Sequence, residues 1–308
     1  MSTFAIIADA TCDLKEEFQK EYDVRIVPGH VVLPGKKEIL SLPGWTDMTR
    51  EEFYADLKKR PDEYSTSPAN VTEFTAAFDK ALSEGLDVLA MTISGGISGA
   101  FGFATQAQKQ MQEKYPDRKI IVIDSRRFGP GFGLMTTYAS RMRAEGKSLE
   151  EVAAYIEENK NRFHQAGWLD DLTFVAKKGR ITHPKAFFGT LAGVKPIGEF
   201  DKNGLTTVLG KVKGAKAAFE VLLNYIAETI ENPEEQTIFI AQTNRLPRAE
   251  QYKQMIEERF HPKAVFINDV FPTCGINVGP GLMAAYYYGK PISDDLSFER
   301  ALIEKFSK

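Results

Sequence analysis

A chain of 308 residues, 43% apolar and 26% charged, has the make-up of an ordinary globular protein of two domains. A formal charge of −3 with no long basic run argues against nucleic acid as a partner. Two cysteines, Cys12 and Cys274, are too few for a disulfide framework and fit a reducing compartment.

Phe4 to Ala8 is a short apolar run that predicts a strand, followed by the polar turn Asp9-Ala10-Thr11-Cys12-Asp13 and a charged helix from Lys15 to Tyr22. Val24 to Pro28 and Val31 to Leu33 read as short strands. Thr49 with Glu52, and Asn70 with Glu73, have the capping-box spacing at two helix starts. Between them Tyr64 to Asn70 reads as a polar loop, and the second helix runs to about Glu84. Leu86 to Met91 reads as a buried parallel strand, and Phe101 to Lys114 as a helix. Between these two lies Thr92-Ile93-Ser94-Gly95-Gly96-Ile97-Ser98-Gly99. Three glycines and two serines at a strand-to-helix turn predict uncovered amides and hydroxyls, which suits an anion at the positive end of a helix dipole. Steric turn-making by glycine is the plainer alternative. Lys119 to Asp124 is a further strand.

Leu149 to Phe163 reads as an amphipathic connecting helix. Asp170 to Ile181 runs from a strand or short helix into the basic turn Lys177-Lys178-Gly179-Arg180. Pro196 to Val212 reads as a hairpin around Asn203-Gly204. Ala215 to Glu231 is a helix, and Thr237 to Ala241 and Lys263 to Ile267 are strands flanking the helix Arg248 to Arg259. Gly279-Pro280-Gly281 predicts a turn into an apolar helix, Leu282 to Tyr288, with the tyrosine triplet packed. The fold class is α/β. An N-terminal parallel-sheet α/β domain (1–160) carries the Ser/Gly loop, and a C-terminal mixed α/β domain (161–308) follows. In such sheets the loops after Ala8, Met91 and Ile123 gather at one edge.

Asp9 and Asp124 end strands, where a catalytic or metal carboxylate could stand; carboxylates that bond loop amides are the favoured reading. Thr66 and Ser67 can bond a ligand, because Asn70 takes the cap role. Arg180 can hold an anion or a partner's acidic surface, against the simpler reading of a solvated turn. With four histidines and no Gly-x-Ser-x-Gly elbow, no catalytic triad assembles, and Ser98 lacks a base. No Walker or Gly-x-Gly-x-x-Gly pattern is present, and no cofactor or metal is expected. No window approaches the roughly 18 apolar residues of a membrane span. Met1-Ser2-Thr3-Phe4 lacks the basic and apolar regions of a leader, so a cytoplasmic location without integral membrane association is expected.

In order along the chain, several segments resemble the DegV family of fatty-acid-binding proteins, which includes the FakB subunits of fatty acid kinase. They are Ile6 to Leu14, Ser65-Thr66-Ser67-Pro68, Ser94 to Gly99, Val122 to Ser125, Asp171-Leu172 through Lys178-Gly179-Arg180-Ile181, Val194 to Ile197, Gly210 to Lys213, and Gly279-Pro280-Gly281. The resemblance spans nearly the whole chain. It implies a non-catalytic protein that buries a long-chain fatty acid in an apolar tunnel and presents it to a separate kinase. The carboxylate would lie among Thr66, Ser67, Ser94, Gly95, Gly96 and Ser98, with Asn277 close by, and Arg180 and Lys213 would face the kinase. The chain departs from the family pattern at four places. Gly95 stands for a second serine, Asn277 for a histidine, Ala10 for a serine and Lys213 for an arginine. Another anionic lipid or hydrophobic metabolite, or an enzyme using Asp9 or Asp124 on a small anionic substrate, are the alternatives.

Overall fold

The computed structural model describes residues 4–45, 48–182 and 193–308; Met1 to Thr3, read above for a leader, lie outside the described residues. In chain order the elements begin β1 (Phe4–Asp9), α1 (Glu16–Glu21), β2 (Val24–Val27), β3 (Gly29–Leu33), β4 (Lys37–Ser41), α2 (Arg50–Lys59), β5 (Ser65–Ser67) and α3 (Val71–Ser83). They continue as β6 (Asp87–Thr92), α4 (Ala100–Lys114), β7 (Ile120–Asp124), α5 (Gly129–Ala144), α6 (Leu149–Asn159), β8 (Phe163–Leu169) and α7 (Thr173–Lys177). The chain ends with β9 (Val194–Phe200), β10 (Thr206–Lys213), α8 (Ala215–Thr229), β11 (Thr237–Gln242), α9 (Leu246–Phe260), β12 (Ala264–Asp269), α10 (Pro272–Val278), β13 (Leu282–Tyr288) and α11 (Ser297–Phe306).

The chain forms two compact units. The first holds residues up to Gly44, Asp62–Lys160 and Phe271–Cys274. The second holds Trp45–Pro61, Asn161–Val270 and Gly275–Lys308. The longest exchange therefore falls after Lys160, and two short segments join the unit that the rest of their half does not.

In the first unit, four strands form a parallel sheet in the order β2-β1-β6-β7. β1 is buried along its whole length, as a central parallel strand must be, because helices cover such a sheet. Two helix pairs, α3 with α4 and α5 with α6, pack on it. A second, antiparallel sheet has the order β4-β3-β5. Thr66 and Ser67 thus lie on a strand and not in the loop their polarity suggested. Their backbones find partners in β3, which no local pattern reveals. Gly129 to Gly133, glycine-rich though it is, forms the first turn of α5. Pro130 fits there because a first-turn residue needs no N–H donor.

In the second unit a six-stranded mixed sheet has the order β10-β9-β8-β13-β11-β12. Trp168, Phe219, Leu222, Tyr252, Met283 and Tyr287 belong to its buried core, which includes residues from α8, α9 and α11. Here one sequence expectation fails: Leu282 to Tyr288 is β13, flanked by antiparallel β8 and β11, not a helix. An interior strand buried on both faces reads as an unbroken apolar run, which periodicity cannot tell from a buried helix. The tyrosine triplet does pack. The Tyr287 ring stacks on His164 at 5.2 Å, and its hydroxyl lies 2.7 Å from Thr229 Oγ1. The predicted connector helix also stops at Asn159, and Phe163 already begins β8.

Candidate functional site

β1, β6 and β7 are parallel neighbours, so the loops that follow them meet at the carboxyl edge of the sheet. Asp9 is buried and ends β1. Its Oδ2 accepts from the Ile93 N–H at 2.8 Å, and its Oδ1 accepts from the Thr11 N–H at 2.9 Å and from the Thr11 hydroxyl. Burial pushes the Asp9 carboxyl above the usual range, and the bonds from Thr11 and Ile93 oppose that shift. Asp124 Oδ1 accepts from the Gly95 N–H at 3.0 Å and from the Arg126 N–H at 2.9 Å. Both aspartates thus act as braces for loop amides.

The Ser/Gly loop is more tightly knit than its composition implies. The Gly95 amide is held by Asp124. The Gly96 N–H donates to Ser94 Oγ at 3.1 Å, and the Ile97 and Ser98 amides both donate to the Ser94 carbonyl. The expected row of uncovered amides is therefore engaged within the unit. Ser94 is fully buried; its oxygen accepts from Gly96, which leaves its own proton to donate. Ser98 Oγ accepts from the Ala100 N–H at 3.2 Å, at the start of α4.

Thr66 and Ser67 belong to the same unit, on β5, where Thr66 faces Val31 and Ser67 faces His30 of β3. Asn70 and Glu73 form the reciprocal capping box of α3, which satisfies two backbone amides just beyond β5. Asn277 lies in α10 and belongs to the second unit.

The Gly-Pro-Gly turn has a steric explanation. Gly279 has φ +75°, and a Cβ there would come 2.4 Å from the Phe174 ring; Gly281 has φ +111°, and a Cβ would meet Asp170 Cβ at 2.8 Å. Asp170 anchors this corner. Its Oδ1 accepts from Trp168 Nε1 at 3.0 Å and Lys195 Nζ at 2.5 Å, and its Oδ2 accepts from Arg245 Nε at 2.7 Å. Burial raises the Asp170 carboxyl, but the bonds from Lys195 and Arg245 outweigh it and hold the group below the usual range.

Arg180 and Lys213, expected to face one partner, are both exposed but stand apart. Ile181 bridges Thr206 at the start of β10, whereas Lys213 ends that strand, about 23 Å further along at 3.3 Å per residue. Cys12 and Cys274 are buried, and that burial pushes both thiols well up, which disfavours a thiolate nucleophile. Among the described residues no cluster of three or more His, Cys, Asp or Glu could hold a metal, and no helix is long and apolar enough to cross a membrane.

Residue-level reading missed Arg127. Its side chain is buried at 2% exposure, and its carbonyl accepts the Ser94 N–H at 2.9 Å and the Ser125 hydroxyl at 3.2 Å. Two arginines directly after a strand-ending Asp-Ser were the available signal.

The sequence profile described as "Uncharacterised protein, DegV family" matches residues 3–290. A DegV domain-containing protein of Clostridium perfringens is 30% identical over 289 residues, 94% of this chain and 98% of that protein. A solved structure described as showing fatty acid binding of a DegV family protein from Thermus thermophilus is 25% identical. It superimposes with a TM-score of 0.83 and covers 94% of this chain and 100% of its own. DegV of Bacillus subtilis, described as a fatty acid binding protein, shares the fold at 21% identity and a TM-score of 0.77, with coverage of 94% and 100%. The profile match and the full-length likeness agree with the order of motifs along the sequence, and the chain belongs to the DegV family.

Proposed function

We propose that this protein binds one long-chain fatty acid, with its carboxylate among Thr66, Ser67 and Ser94 and its acyl chain in an apolar tunnel. The observation that carries the reading is the full-length structural likeness to the Thermus thermophilus protein described as binding fatty acid. The Ser94 proton and the Thr66 hydroxyl supply donors for a carboxylate head, which needs them once it leaves water. Gly95, Gly96 and Ser98 shape that loop. At ~0.8 kcal/mol per methylene, a dozen buried methylenes contribute about 10 kcal/mol of driving force. We assign the N-terminal α/β unit as the carrier of the carboxylate loops. The protein is a cytoplasmic carrier without catalysis of its own that presents the acid to a separate kinase, with Arg180 and Lys213 as two distinct contact points.

The alternative, an enzyme using Asp9 or Asp124 as a base, is disfavoured because both carboxylates already hold loop amides. Native mass spectrometry of the purified protein, followed by denaturation and identification of the released molecule, tests the reading. A co-purifying fatty acid, or uptake of added palmitate, is expected; a protein that neither carries nor takes up a fatty acid overturns it. Ser94→Ala and Thr66→Ala should each weaken palmitate binding about tenfold, the loss of one hydrogen bond to a charged group. Unchanged affinity in both would remove the site assignment.

A further inference from the structure

Arg126, in the turn after β7, has φ +51°, in the left-handed region where a Cβ crowds the next carbonyl oxygen and only glycine stands without cost. A residue stays there only when its surroundings hold it. Its N–H donates to Asp124 Oδ1 at 2.9 Å, and its carbonyl accepts from Arg127 Nη1 at 2.8 Å, so Arg126 is gripped at both ends. The residues beside it are held too. The Ser125 N–H donates to the Thr92 carbonyl at 3.1 Å, Lys160 Nζ donates to the Asp124 carbonyl at 3.2 Å, and the Arg127 N–H donates to Ser125 Oγ at 3.1 Å. The Arg126 side chain is exposed, whereas that of Arg127 is buried. A guanidinium is costly to bury, and here it spends one of its nitrogens on the carbonyl of the one strained residue of the turn.

The Ser/Gly loop rests on this turn. The Arg127 carbonyl accepts the Ser94 N–H at 2.9 Å, and Asp124 Oδ1 accepts the Gly95 N–H at 3.0 Å. These two acceptors lie on either side of Arg126 in the chain, so a change in its backbone conformation would move one against the other. We propose that Arg127 is a positioning residue for ligand binding: its guanidinium locks Arg126 in the left-handed conformation, and the locked turn holds Ser94 where its hydroxyl meets the ligand carboxylate. The proposal rests on reading Ser94 as a ligand-binding residue. A guanidinium suits the task, because it offers several N–H donors in one plane and its bond to a carbonyl is charge-assisted. A neutral side chain at position 127 would release the Arg126 carbonyl, and the turn would relax toward a backbone conformation that arginine prefers. Glycine at position 126 would make the grip unnecessary, because glycine takes the left-handed conformation unaided.

The test is a double-mutant cycle of Arg127→Met and Arg126→Gly, read first by palmitate affinity. Arg127→Met alone should bind about five- to tenfold more weakly, the scale of one residue's left-handed penalty. Arg126→Gly should bind like wild type, and the double variant should stay within about twofold of Arg126→Gly. Weakening by Arg127→Met that is equal in both backgrounds, or absent from both, overturns the proposal. An Arg127→Met variant that fails to fold until Arg126→Gly is added supports it. Failure to fold in both backgrounds overturns it, because the buried guanidinium then serves the core and not the turn. A second arm needs no ligand: hydrogen exchange of the Ser94 and Gly95 amides in delipidated protein. Their protection should fall in Arg127→Met and return in the double variant. Protection that Arg127→Met leaves unaltered overturns the lock, whether or not a fatty acid binds. A fall that Arg126→Gly restores, in a protein that takes up no fatty acid, supports the lock and rejects the lipid reading.

Discussion

Gly95 leaves little room for a side chain, since a Cβ there would come 2.9 Å from Asp124 Oδ2. Gly95→Ser should push that carboxylate off the Gly95 and Arg126 amides and destabilise the protein by about 1 kcal/mol, measured by urea unfolding. Asp170 offers a pH-dependent counterpart. Its carboxyl is held below the usual range in the fold, so the stability it contributes is present above the ordinary carboxylate value and is lost as pH falls through the lower folded value. Asp170→Asn should therefore cost about 1–3 kcal/mol at neutral pH, and the gap to wild type should narrow in acid. A gap that does not change with pH would mean that packing against Gly281, and not charge, sets the role of Asp170.

At the scale of elements, the Gly-Pro-Gly turn shows what a short motif does for a sheet. It sets the chain into β13, which pairs on both sides, and it does so at positive φ with side chains pressed against both glycines. Gly281→Ala should cost at least about 2 kcal/mol, because backbone strain and a clash with Asp170 act together, and a thermal unfolding midpoint lowered by several degrees would record it. Turn and cap were legible in sequence; the identity of the element that follows was not. The two capping boxes, at Thr49 with Glu52 and at Asn70 with Glu73, were readable because both partners lie within one helical turn. β5 was not, because its partner strand lies more than thirty residues earlier. The same reason explains the Ser/Gly loop. Its strand-to-helix setting follows from local pattern, but the Gly95 amide is covered by Asp124, which is 29 residues away in the chain.

On the scale of the whole molecule, alternation of strands and helices was enough to expect a parallel sheet followed by a mixed one, since each period is local. The exchange of segments between the units has no such signature. Phe271–Cys274 belongs to the first unit, where the Phe271 N–H donates to Asp13 Oδ1 at 3.1 Å and Cys274 Sγ approaches the Thr11 carbonyl at 3.6 Å. A fragment ending at Lys160 lacks that segment and should keep its far-ultraviolet signal while losing its near-ultraviolet signal, the mark of incomplete packing. A native near-ultraviolet spectrum from that fragment would show the segment to be dispensable. The exchange also bears on descent. A recombination joint placed at the codon for residue 160 would import a foreign partner for Asp13 along with a foreign second half. Lineages that swap halves there inherit a mismatch inside the first unit, so the two units are expected to travel through evolution as one gene.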